Sequence, residues 1–119
     1  MPAVKLYCPL FYTPGLLMEA IVKAMIGTPD FGAHADNIRP IPIVTEGRSI
    51  YVEIVYKEKG TRTPDVCNDL HTRVHMALTE CLANTVLPVE ELKDRERPLV
   101  ALIPLPATAF STGKPAAVA

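Results

Sequence analysis

The residue best placed to do chemistry stands at the start of the chain, in Met1-Pro2-Ala3-Val4-Lys5-Leu6-Tyr7-Cys8, where a proline follows the methionine directly. If Met1 is trimmed, Pro2 becomes a secondary amine at the chain terminus, a base that no internal residue supplies. A terminal α-amine titrates near about 8, and burial beside cationic groups disfavours its charged form, so a buried Pro2 would be free base at neutral pH. The plainer explanation is that proline suits the first residue of a strand. A second group, Cys67, His71 and His75, recurs every four residues near one helical face. His71-Thr72-Arg73-Val74-His75 lacks the glutamate of an HExxH site, and no further ligand is evident, so no metal is assigned. A solvated or interfacial histidine pair is the reading. The sequence contains no Gly-rich phosphate loop, no Gly-x-Ser-x-Gly elbow and no paired-carboxylate motif.

A chain of 119 residues with 49% hydrophobic and 21% charged residues fits one domain with a real core. It is read as a single domain over 1–106, with a tail over 107–119. The net charge of -1, with no run of Lys or Arg, gives no reason to expect a nucleic acid partner. Cys8, Cys67 and Cys81 form no CxxC pair and fall on apolar positions, so core packing in a reducing cytosol is expected. The most apolar stretch, Leu16 to Ile26, carries Glu19 and Lys23, so no membrane span or export signal is read and a cytoplasmic location follows.

Period-two alternation marks strands at 3–8 and 50–57, the second being the clearest in the chain. Thr13-Pro14 and Thr63-Pro64 each offer an N-cap hydroxyl and a proline at the first helical position. Apolar helices follow both, one from Leu16 to Ile26 with Gly27 as its C-cap, the other carrying a stripe of Cys67, Leu70, Val74, Ala77, Leu78 and Cys81. Ile38 to Val44, interrupted by Pro40 and Pro42, and Leu99 to Leu105, flanked by prolines, read as edge strands. A helical turn is expected near Val89 to Leu92.

Laid on each other, residues 2–45 and 49–105 are two βαβ repeats. Right-handed crossovers would place both helices on one face of a four-stranded mixed sheet, an α+β fold with the proline-free strands in the middle. The other face has no helix, and self-association is the simplest way to cover it.

A tandem βαβ chain with Pro2 leading its first strand resembles the tautomerase superfamily, and Gly60-Thr61-Arg62-Thr63-Pro64-Asp65 resembles that family's Gly-x-Arg-Ser/Thr turn. With Arg39 and Arg62 the chain is most similar to carboxymethyl-hydroxymuconate isomerases; Leu10-Phe11-Tyr12 departs from the pattern, leaving no arginine in the first turn. The resemblance implies a cofactor-independent enol-keto tautomerase of small carboxylated enols, of 2-hydroxymuconate or phenylpyruvate type, assembled as a homotrimer. Pro2 would be the base, with Arg39, Arg62 and Arg97 binding the substrate carboxylate through planar, bidentate forks. Dehalogenases and a decarboxylase of the same superfamily are alternatives. So is a non-catalytic, ferredoxin-like oligomeric module that binds a small ligand or partner.

Overall fold

A computed structural model describes residues 2–31, 38–85, 92–93 and 97–106. The helical turn expected near 89–92 lies mostly outside these residues, as do Met1 and the tail. The first repeat runs β1 (Ala3–Cys8), a 3-10 turn (Leu10–Tyr12), α1 (Pro14–Ile26) and β2 (Arg39–Val44). The second runs β3 (Tyr51–Lys57), α2 (Pro64–Thr85) and β4 (Leu99–Leu105).

The strands form one sheet in the order β2-β1-β3-β4, with β1 parallel to β2, β3 parallel to β4, and β1 antiparallel to β3. The proline-bearing strands are therefore the edges. On β2 the N–H groups of Arg39 and Thr45 point inward, to the carbonyls of Pro2 and Cys8 at 3.0 and 3.2 Å. Alternation then turns Pro40 and Pro42 outward, where the missing donors cost no ladder bond and deny the edge to a further strand.

Alternation also decides which side of the sheet carries the helices. Val4, Leu6 and Cys8 of β1 and Val52, Ile54 and Tyr56 of β3 are buried. They join Leu17, Ile21 and Met25 of α1 and Leu70, Val74, Leu78 and Leu82 of α2 in one core. Burial pushes the Cys8 thiol up to about 11, consistent with an inert packing residue. The opposite face bears Lys5 and Tyr7 beside Tyr51 and Glu53. There the Tyr7 and Tyr51 rings lie 5.5 Å apart, the Tyr51 hydroxyl donates to Glu53 at 3.2 Å, and Lys5 pairs with Glu53 at 3.9 Å.

The two Thr-Pro caps do not behave alike. Thr63 caps α2 as expected, its hydroxyl accepting the Val66 N–H at 3.3 Å. Thr13 makes no side-chain cap bond and sits in the left-handed region at φ 58°. The 3-10 turn ends on it, with the Thr13 N–H bonded to the Leu10 carbonyl while its own carbonyl accepts from Leu16 and Leu17. A β-branched residue pays sterically for that conformation. Thr13→Gly is expected to raise stability by roughly 0.5–1 kcal/mol, the relief exceeding glycine's added unfolded-state freedom. A urea midpoint that falls would contradict it.

Candidate functional site

Pro2 is buried at the head of β1. Its carbonyl accepts the Arg39 N–H, which ties it to β2. Ala3 pairs with Val55 on one side and Arg39 on the other, so one further step of register sets Pro2 between Tyr56 and Ile38. Both of these neighbours are buried, at 6% and 7% exposure. Directly paired residues on a sheet face stand about 5 Å apart at Cβ, within contact of an aromatic ring. A terminal amine at Pro2 would thus lie at the rim of the core.

Arg62 belongs to the same end of the sheet. β3 runs antiparallel to β1, so its last residues and the connection to α2 arrive where β1 starts. There Arg62 Nε donates to Asp30 Oδ2 and Nη1 to the Lys57 carbonyl, both at 2.7 Å. The guanidinium carbon lies 4.5 Å from the ring centre of Phe31 and 5.8 Å from that of Tyr56. Its side chain is only 5% exposed. Thr61 completes the clasp by donating its hydroxyl to Asp30 Oδ1 at 2.8 Å. Burial pushes the Asp30 carboxyl up, but the hydrogen bonds from Thr61 and Arg62, with the charges of Arg62 and Lys59, more than offset it and hold it below its ordinary value.

Tyr56 is fixed on three sides. Phe31 meets its ring edge-on at 5.3 Å, Arg62 lies over it, and its hydroxyl shares a 3.4 Å hydrogen bond with Cys67 Sγ. Its phenol is pushed up to about 12, first by burial and then by the Cys67 hydrogen bond, so it stays protonated. Tyr56, Phe31 and Asp30 were not singled out by sequence. The available signal was Tyr56's place on the inward face of the clearest strand; Asp30 and Phe31 lay in a segment legible only as turn chemistry.

The arginines expected to bind substrate are therefore dispersed. Arg39 is exposed and paired with Ala3, so its side chain leaves the sheet on the open face while its backbone holds Pro2. Arg97 precedes Leu99, which pairs with Tyr51 at the far end of β3. At about 3.3 Å per residue that is roughly 20 Å from Pro2 in the same chain. Its Nε–H reaches the Leu92 carbonyl at 3.5 Å. His71 and His75 stack at 6.2 Å on α2. Among the described residues no group of three or more His, Cys, Asp or Glu is placed to hold a metal ion. Among them, too, no helix is long and apolar enough to cross a membrane.

This fold is shared with tautomerase superfamily structures. A fused 4-OT described as a wild-type symmetric trimer superposes with a TM-score of 0.71 at 16% identity, covering 94% of this chain and 92% of its own. A 5-carboxymethyl-2-hydroxymuconate delta-isomerase gives 0.62 at 11% identity, with 96% and 87% covered. A member of the cis-3-chloroacrylic acid dehalogenase family gives 0.65 at 12%, with 94% and 81% covered. No family model and no curated protein matches the sequence. At these identities the likeness establishes the fold: an α+β chain of tautomerase type, as the two repeats led us to expect.

Proposed function

We propose that this protein is a cofactor-independent tautomerase of small carboxylated enols, and that removal of Met1 exposes Pro2 as its base. The observation that carries the reading is the position of Pro2: buried, heading β1 of a tautomerase-type fold, and flanked in register by Tyr56 and Ile38. Ketonisation of an enol needs a group that takes the enol O–H proton and returns a proton to carbon; a neutral secondary amine does both in turn. The substrate carboxylate is held by Arg39, whose backbone N–H bonds the Pro2 carbonyl and whose side chain leaves the open face at the Pro2 end of the sheet, at the edge strand.

Self-association belongs to the same proposal. The open sheet face exposes Ile41 at 38% and Leu99 at 62%, with half-buried Tyr7, Val55 and Ile103 between, and a second and third copy would cover it. The symmetric trimer formed by the fused 4-OT supports three copies. In such a ring Arg97, roughly 20 Å from Pro2 of its own chain, would serve only a neighbour's site.

The test follows the ultraviolet decay of a phenylpyruvate enol and of 2-hydroxymuconate with wild type and Pro2→Ala, alongside intact mass. Catalysed decay, lost with Pro2, is the expected result. A retained Met1 or decay at the uncatalysed rate would overturn it.

A further inference from the structure

Arg62 has the residue type of a carboxylate ligand and the surroundings of a structural one. A guanidinium that takes a substrate carboxylate in a fork must offer two parallel N–H groups to solvent. Here Nε is spent on Asp30 and Nη1 on the Lys57 carbonyl, so the Nε-side fork already holds a carboxylate from the chain itself. One side of the group is taken as well, by Phe31 and Tyr56, whose ring centres lie 4.5 and 5.8 Å from it and 5.3 Å from each other. With 5% of the side chain exposed, a substrate would have to displace Asp30 and leave that carboxylate half-buried and unpaired.

What the clasp does hold is the wall beside Pro2. Tyr56 is the residue that register sets across from Pro2, and Arg62, Phe31 and Cys67 fix its ring. We propose that Arg62 is a positioning residue: locked to Asp30, it braces Tyr56 against Pro2 and takes no substrate carboxylate. The inference rests on the reading of Pro2 as a terminal amine. The brace keeps water from one side of that amine, and the Asp30 carboxylate neutralises the arginine's charge, so its effect on Pro2 passes through packing. Among the described residues, Cys67 of α2 and Glu58, two positions on in the chain, also act on Tyr56, and Lys59 acts on Asp30.

The experiment needs no turnover. Protein labelled with carbon-13 at proline is titrated by NMR, where only a terminal Pro2 carries an ionisable ring nitrogen, and pyruvate binding is measured by calorimetry. Arg62→Lys keeps a cation but loses the fork and the stacking. Its Pro2 titration is expected to move up by about one pH unit as water enters, with pyruvate affinity changed less than about twofold. Tyr56→Phe keeps the ring and should titrate with wild type; Tyr56→Leu removes it and should follow Arg62→Lys. Circular dichroism checks that each variant folds, and either Arg62→Lys or Tyr56→Leu alone suffices.

An unchanged Pro2 titration in the folded variant overturns the proposal, as does a tenfold or greater loss of pyruvate affinity in Arg62→Lys. So does the absence of any titrating proline amine. Enol turnover by wild type separates the failures. If turnover is present while Arg62→Lys behaves as a carboxylate ligand, only the brace is wrong; if it is absent while the titrations behave as expected, the brace stands and the enzymatic reading falls.

Discussion

Pro2→Ala, with Met1 removed, is expected to lose about a hundredfold in kcat/KM toward an enol substrate, while a chain that keeps a residue ahead of Pro2 loses about 10⁴-fold. The two differ because alanine at the terminus is still an amine. It lacks the pyrrolidine ring that register sets between Tyr56 and Ile38 and that fixes the direction of the amine lone pair, so that lone pair can turn away from the substrate. An added residue instead places the proline nitrogen in a peptide bond, which removes the base outright. The order of the two losses is the diagnostic. Equal activity in all three chains would remove Pro2 from the mechanism whatever the fold, and a larger loss for Pro2→Ala than for the extended chain would point to a packing role.

The same comparison separates what strand periodicity made legible from what it did not. The alternation of Val4, Leu6 and Cys8 and of Val52, Ile54 and Tyr56 predicted both central strands and which face they bury, because period two is a local property of the backbone. Pro40 and Pro42 predicted an edge for an equally local reason. The cap at Thr13 failed because the 3-10 turn before it depends on a distant contact, the Tyr12 hydroxyl donating to the Arg48 carbonyl 36 residues away. The environment of Arg62 was hidden in the same way. Asp30 lies 32 residues earlier, in a stretch whose composition spoke only of turns, and nothing in the spacing of arginines distinguishes one facing a substrate from one facing its own loop.

Asp30→Ala is expected to destabilise the fold by about 3 kcal/mol at neutral pH, because it leaves the Arg62 guanidinium buried without its counter-charge. Thr61 loses its acceptor at the same time. Part of the change is a backbone effect, since Asp30 holds φ at 71°, where alanine is strained and glycine is not. Asp30→Gly should therefore be milder than Asp30→Ala by about 1 kcal/mol, and the remaining loss measures the clasp. The pH dependence has a definite sign. The folded carboxyl lies below its unfolded value near 3.8, so the stabilisation is fully present above that pH and is lost as pH falls through the folded value. Wild type should exceed Asp30→Gly clearly in urea at pH 7, and that margin should shrink well below pH 4. A margin that stays constant down to pH 2 would mean that Asp30 acts through its backbone alone, and would leave Arg62 free to turn its fork toward solvent.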